Sequence, residues 1–347
     1  MKILLFTIEY PPFKGGVANY YGNIAKYWPE KDNFFVLHNN NNKLISNLIY
    51  PKWLPAIWQL YKIIKQKKID HIFVGHILPL GTVVFLLSKF LKIKYSVFIH
   101  GMDLSFALKN KRKKKIAYKI LQNAQNIFCN SNYSANLVNN FISYDKKIKV
   151  IYPGIKMPTL KKYDHKKYKN KFILLTVARL TKRKGQDIII KIFNKLSKKI
   201  PNLYYYIGGE GPDKKYLEKL ANNNPRIKFL GKVDEEKKWE LLQACDIFVM
   251  PSRNIKGDAE GFGISFLEAA LAKKPSIAGR SGGVKEAVIN YETGILVNPE
   301  SENDIFNGII KLANNFDLRN NLGEKAMKRA LKDFNWQKQV DKIYRNC

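Results

Sequence analysis

The sequence predicts an α/β protein made of two doubly wound parallel-sheet domains facing across a cleft. Three observations carry this expectation. The chain has 347 residues, more than one hydrophobic core usually serves, so two domains are the default. Short, continuously apolar runs alternate with longer helical patterns, as in parallel sheets covered on both faces. The pattern pauses at a polar, charged stretch, MPTLKKYDHKKYKNK (157–171), and then starts again.

The elements follow in order. In the first half, strands are expected at KILLFTI (2–8), NFFVLH (33–38), DHIFVGH (70–76), KYSVFIH (94–100), NIFCN (126–130) and IKVIY (148–152). Each is rich in β-branched and aromatic residues. Helices are expected from Ala18 to Trp28 and from Leu54 to Lys67. A third covers LKNKRKKKIAYKILQNA (108–124), with Ile116, Ile120 and Ala124 along one face. The second half repeats the alternation with KFILLTV (171–177), LYYYIG (203–208), RIKFLG (226–231), DIFVMP (246–251), PSIAG (275–279) and GILV (294–297). The expected domains are 1–160 and 161–334, with a terminal helix in 335–347 crossing back to the first.

Composition narrows the function. Lys and Arg number 61 against 28 Asp and Glu, a net charge of +33. Residues 1–165 are especially poor in acid, with 26 Lys/Arg against seven Asp/Glu. Such a field favours anionic partners, although a Lys/Asn/Ile-rich proteome explains it equally well. Cys129, Cys245 and Cys347 are far apart, so neither a zinc site nor a disulfide framework is indicated. The first apolar run is too short for a signal sequence. The longest, Ile77 to Ser88, is broken by Pro79 and Gly81 and is too short to span a bilayer. The expected location is cytoplasmic, peripheral at the inner face of the cell membrane.

In doubly wound sheets ligands bind beyond the carboxyl ends of the strands. Lys14-Gly15-Gly16-Val17 follows the first strand and opens a helix, where backbone amides can approach a phosphate. It is not a dinucleotide fingerprint, and the second strand does not end in an acid, so a dehydrogenase is disfavoured. Arg179 and Lys184 follow the strand 171–177 and suit a diphosphate; Lys182 and Arg183 compete for the same role. The stretch DAEGFGISFLEAALAKKP (258–275) sets Glu260 in a glycine-rich loop and Glu268 about a turn inside the helix that follows. The amides of Phe262, Gly263 and Ile264 would form the positive end of that helix. Two carboxylates flanking an anion cradle can grip hydroxyls on either side of a phosphate.

GGVANY, HGMD, ARLTKRKG, GGEGP, GKVDEEKKWELLQACDIFVMPS, EGFGISFLEA and YETG occur in the order found in glycosyltransferase family 4, and the chain resembles that family over nearly its whole length. The form PSRNIKGDAEGFG followed by SGGVKEAV is most similar to GDP-mannose-dependent mannosyltransferases acting on phosphatidylinositol mannosides. The resemblance implies the GT-B fold, with two Rossmann-like domains, and retaining transfer of a hexose from a nucleotide-sugar donor. The 1–160 domain would then be the acceptor side, and 161–334 the nucleotide-sugar side. Gly16 would line the diphosphate, Arg179 and Lys184 would clamp it, Val233 would meet the base, and Glu268 would hold the ribose. Glu260 and His100 would be the catalytic pair at the transferred sugar, with Phe262, Gly263 and Ile264 close by.

No Asp-x-Asp triplet or HExxH spacing occurs, so neither metal nor cofactor is expected. The implied acceptor is a glycan or lipid-linked molecule, with no nucleic acid involved. The alternatives are a UDP-sugar enzyme with a soluble acceptor, or a non-catalytic basic protein that binds nucleotide or nucleic acid. Lys111, Arg112, Lys113, Lys114 and Lys115, together with the aromatic-basic stretch 50–68, point to an anionic membrane surface.

Overall fold

The computed structural model describes residues 1–13, 15–143, 147–158 and 166–347. Lys14 of the first glycine motif and residues 159–165 of the expected linker lie outside them. The chain forms two compact units: Met1–Gly154 with Trp336–Cys347, and Ile155–Asn335.

The first unit is built on β1 (Ile3–Thr7), β2 (Phe34–His38), β3 (His71–Val74), β4 (Lys94–Ile99), β5 (Ile127–Cys129) and β6 (Ile148–Val150). They run parallel in the order β2-β1-β3-β4-β5-β6. Its helices are α1 (Gly16–Tyr27), α2 (Leu54–Lys67), α3 (Leu80–Leu91), α4 (Met102–Leu108), α5 (Lys111–Asn123) and α6 (Asn132–Ile142). Leu4 and Phe6 enter one core with Ile72, Val74, Val97 and Ile99. Ile3 and Leu5 enter a second with Phe73, Phe98 and Phe128. Both faces are covered, so both alternating sets of side chains must be apolar. That is why these strands read as unbroken hydrophobic runs.

Along the α5 segment Ile120 and Ala124 of the expected face are buried, and only Ile116 departs from it. Ala117, Ile120 and Leu121 are buried, but Ile116 is 37% exposed. At 100° per residue, Ile116 sits about 40° from Ile120, at the rim of the buried stripe. The charged first turn is capped by Asn110, whose Oδ1 accepts from the amides of Arg112 and Lys113.

The second unit carries β7 (Phe172–Val177), β8 (Leu203–Gly208), β9 (Ile227–Gly231), β10 (Ile247–Met250), β11 (Ser276–Gly279) and β12 (Gly294–Val297). They are parallel in the order β12-β11-β10-β7-β8-β9. Its helices are α7 (Gln186–Ser197), α8 (Lys214–Ala221), α9 (Glu235–Ala244), α10 (Ile264–Leu271), α11 (Val284–Ala287), α12 (Glu302–Ala313) and α13 (Phe316–Asp333). Tyr168, at the end of the expected linker, is buried and donates to Glu240 at 2.7 Å, so it belongs to this unit.

The last helix, α14 (Trp336–Tyr344), belongs to the first unit. Trp336, Val340 and Ile343 share one helical face and pack with Tyr20, Tyr21, Ile24 and Trp28 of α1. The divisions fall at 154/155 and 335/336, not at the expected 160/161 and 334/335. The reason is local. A side chain at Gly154 would sit 2.5 Å from the Trp336 ring, which ties that glycine to α14. Ile155 instead donates its amide to Phe334 at 2.6 Å. Among the described residues no helix is long and apolar enough to cross a membrane.

One buried ion pair holds the loop after β10 to the start of α7. Arg253 Nη2 lies 2.7 Å from Asp187 Oδ2, and both side chains are almost fully buried. Asp187 Oδ1 has no hydrogen-bond partner, so loss of the arginine would strand a carboxylate. Arg253→Ala is expected to destabilise the protein by about 3–5 kcal/mol. Denaturant midpoints at unchanged m-value measure it; a loss under roughly 0.5 kcal/mol, typical of a surface site, would contradict the pair's role.

Candidate active site

The strand orders locate the sites. In the second sheet the sequence order of the strands changes sense between β7 and β10, from which β8-β9 and β11-β12 extend to opposite sides. In the first it changes sense between β1 and β3. Loops diverge at such switch points and leave a crevice for a ligand beyond the carboxyl ends of the strands.

In the second unit the two diverging loops are residues 178–185 and 251–263. They touch: a side chain on Gly185, at φ +78°, would lie 2.4 Å from the Pro251 carbonyl. Residues Lys182–Lys184 form a single 3₁₀ turn. From it Lys184 Nζ reaches Glu260 Oε2 at 2.5 Å, and Arg183 Nη1 reaches the same oxygen at 2.6 Å. Arg183 Nε also pairs with Asp258 at 3.2 Å. Burial pushes the Glu260 carboxyl up, but Lys184 and Arg183 outweigh it and hold it at about 2. Glu260 is therefore a carboxylate at neutral pH. Its Oε1 has no partner among the described residues and can accept from a ligand. Lys184 has two N–H groups left after serving Glu260.

The backbone of this loop is clamped by the SGG stretch. Gly283 donates its amide to the Glu260 carbonyl at 2.9 Å. A side chain at Gly282, φ +58°, would come within 2.2 Å of that oxygen. Next, Gly263 takes φ +98° at the N-cap of α10, where no side chain caps the helix. The first amides of α10, beginning at Ile264, form an open positive end. Phe262 is buried and packs on Phe334, with ring centroids 5.4 Å apart.

Glu268, on α10, meets Lys238 of α9 at 2.6 Å. Burial raises its carboxyl above the usual range, and Lys238 offsets part of that rise. Lys238 was not singled out in the sequence, although its i,i+3 spacing from Glu235, which it also bonds at 2.8 Å, was visible there. Val233 sits in the loop between β9 and α9, with its side chain over Gly208. Arg179 is exposed beyond β7, and its carbonyl accepts from Gln186 at 3.2 Å. Its guanidinium does not join the Glu260 cluster; Arg183 takes that position beside Lys184.

In the first unit, the ends of β1, β3 and β4 bring together groups that the sequence left scattered. Gly16 opens α1, which no side chain caps. His100, just past β4, has Nε2 2.8 Å from the Tyr21 hydroxyl. Its amide donates to Asp103 at 3.1 Å. Burial, then the nearby His76, pushes the His100 imidazole down to about 3. His76 accepts from the Ile8 amide at 3.3 Å through Nδ1, while its Nε2 lies 3.7 Å from Glu9. Tyr21, His76, Glu9 and Asp103 were missed as site residues. Only the strand-end position of His76 and the HGMD motif hinted at any of them. Among the described residues no group of three metal-ligating side chains gathers.

Comparison with known proteins defines the class. The family description Glycosyltransferase Family 4 matches residues 14–157, and Glycosyl transferases group 1 matches residues 159–329. An uncharacterized glycosyltransferase of Methanocaldococcus jannaschii is 30% identical over 356 residues, covering 98% of this chain and 96% of the relative. The GDP-mannose-dependent monoacylated alpha-(1-6)-phosphatidylinositol monomannoside mannosyltransferase of Corynebacterium glutamicum is 25% identical, covering 97% of this chain and 95% of the relative. The crystal structure of Anabaena HepE in complex with UDP aligns with a TM-score of 0.82 at 22% identity, over 99% of each chain. The two sheets are those of the GT-B fold. The chain belongs to glycosyltransferase family 4, group 1: it is a retaining enzyme that transfers a sugar from a nucleotide-sugar.

The depressed Glu260 carboxyl has a consequence in acid. Its stabilising contribution is present above the ordinary value of 4.5 and is lost as pH falls through about 2. Glu260→Gln should remove that part of the acid-induced loss, read from denaturant midpoints between about pH 5 and pH 2. An identical acid loss in the variant would contradict the pairing. The same substitution is expected to lower turnover roughly 100-fold; wild-type turnover would remove Glu260 from the site.

Proposed function

We propose that this enzyme is a metal-independent hexosyltransferase that moves mannose from GDP-mannose to a glycan or lipid-linked acceptor in cell-envelope polysaccharide or glycolipid synthesis. The observation that carries the donor site is the Lys184–Glu260–Arg183 cluster at the β7/β10 switch point, next to the uncapped end of α10. Lys184, with Arg179, holds the diphosphate, and the amides of Phe262, Gly263 and Ile264 take up the charge that develops as it leaves. Glu260, still ionised, accepts hydroxyls of the sugar. Glu268 leaves Lys238 to hold the ribose, and Val233 meets the base through its backbone. His100 is the sugar-facing group of the first unit. A front-face route, with the departing phosphate assisting the incoming hydroxyl, needs no carboxylate nucleophile.

The GDP-mannose assignment is supported by the Corynebacterium relative, whose described donor is GDP-mannose. The competing reading, a UDP-sugar, is supported by the UDP complex of HepE, a likeness of fold. Thermal protection separates them, because a ligand that binds only the folded state raises its stability. GDP and GDP-mannose should raise the melting temperature, with UDP and UDP-sugars doing so weakly. The reverse order would favour the second reading. Turnover should persist in a chelator; its loss, restored by a divalent cation, would contradict metal independence.

The acceptor side is argued from the surface of the first unit. Lys111, Arg112, Lys113, Lys114 and Lys115 are all exposed. Leu48, Tyr50, Trp58 and Phe90 are exposed at 97, 92, 66 and 82%. Exposed basic residues together with exposed aromatic and aliphatic side chains suit an anionic bilayer surface, at about 1 kcal/mol per basic residue. Anionic vesicles should sediment the protein at low salt and release it at high salt, while neutral vesicles leave it in solution. Replacing the five residues from Lys111 to Lys115 with glutamine should weaken sedimentation and spare donor binding. No binding to either vesicle would favour a soluble acceptor.

A further inference from the structure

The hydrogen-bond inventory around Tyr21 determines where the proton on His100 must sit. Tyr21, on α1, is fully buried. Burial foremost, with Asp103, Tyr20 and Glu9 adding to it, keeps its phenol protonated. The phenol oxygen lies 2.5 Å from the Gly75 carbonyl and 2.8 Å from His100 Nε2. A carbonyl can only accept, and a phenol has one hydrogen to give. That hydrogen goes to Gly75. The Tyr21 oxygen can then only accept from His100, so Nε2 carries the proton. Burial and the neighbouring His76 push the imidazole well below its ordinary range and so favour the neutral ring, in which the opposite nitrogen, Nδ1, is bare. Nδ1 has no partner among the described residues, and His100 is only partly buried.

We propose that Tyr21 is a positioning residue that holds His100 in the Nε2–H tautomer, presenting Nδ1 as a hydrogen-bond acceptor to a hydroxyl of the transferred sugar. This rests on the reading of His100 as sugar-facing given above. It has a chemical consequence. With no proton on Nδ1, His100 cannot protonate a departing phosphate, and its role is confined to accepting from a neutral hydroxyl. The surroundings fit. His76 beyond β3 disfavours a positive charge on the neighbouring ring. Asp103, at the start of α4, accepts the His100 and Leu104 amides through Oδ1, while its buried Oδ2 has no hydrogen-bond partner. Glu9 pairs with the far nitrogen of His76. Tyr20 meets the His100 ring edge-on at 5.2 Å and gives its own hydroxyl hydrogen to the Ile151 carbonyl at 3.0 Å. Among the described residues Tyr21 is the hydrogen-bond partner of the His100 ring, and none of these four groups bonds to it.

The tautomer is directly measurable by long-range proton–nitrogen NMR on protein labelled at its five histidines. The His100 signal is identified by its disappearance in His100→Ala. The expected wild-type result is a protonated Nε2 and a bare Nδ1, with no titration between about pH 5 and pH 8. Tyr21→Phe keeps the ring and removes only the oxygen. It should give mixed tautomers and a kcat lowered roughly tenfold, with the donor KM unchanged. Tyr20→Phe loses a similar tyrosine–carbonyl bond and should leave the tautomer as in wild type. Three results would overturn the lock: a proton on wild-type Nδ1, titration within that pH range, or a wild-type tautomer in Tyr21→Phe. The expected tautomer together with wild-type transfer by His100→Ala would instead overturn the sugar-facing role of His100, and the two failures are distinguishable.

Discussion

A nearly buried carboxylate held between two cations governs the switch point of the second unit. Glu260 sits in a loop that has no regular structure of its own. Its position is set by Lys184 and Arg183 from one side of the switch point and by Gly283 from the other. Removing a charge from water is expensive, and only partners at hydrogen-bond distance make it tolerable. The parallel sheet supplies them by ending β7 and β10 side by side. The glycines around the cluster follow from the same closeness. At Gly185, Gly263 and Gly282 the backbone takes positive φ where a side chain would strike a neighbouring loop or ring. An ionised Glu260 paired in this way is an acceptor and a counter-charge, and it has no proton to donate to a leaving group.

The first unit uses neutral groups for a comparable purpose. The ends of β1, β3 and β4 converge on two histidines, each hydrogen-bonded to a neighbour in the same unit. His76 accepts from the Ile8 amide, and in the tautomer proposed above His100 gives to Tyr21. Beside them lies a buried aromatic layer, Tyr20, Tyr21, Phe73, Phe98 and Phe128, joined by Trp336 of α14. Desolvation by that layer is what drives the His100 imidazole down. In a chain of net charge +33, His100 is thus held uncharged.

Much of this was legible in the sequence because it depends on local pattern. All twelve expected strands form, since a strand buried on both faces must be continuously apolar. Glu260 and Lys184 stood out because each follows a strand and adjoins glycine. What stayed hidden depends on contacts between distant residues. Glu268 pairs with Lys238 from a neighbouring helix, and Tyr21 reaches His100 across 79 positions. Arg179 and Arg183 could not be told apart, because a 3₁₀ turn decides which cation points at the carboxylate. On α5 the larger isoleucine drew the eye, yet the smaller Ala117 lies at the centre of the buried stripe.

The central claim is that the cluster divides its labour, with Lys184 serving phosphate and Glu260 serving sugar. Calorimetric titration of GDP and GDP-mannose into Lys184→Ala and Glu260→Gln tests this directly. The expected result is that Lys184→Ala weakens both ligands by similar factors, roughly tenfold or more for a charge-assisted bond. Glu260→Gln should weaken GDP-mannose while leaving GDP close to wild type. Equal losses for both ligands in both variants, or no loss in either, would contradict the division and the site built on it.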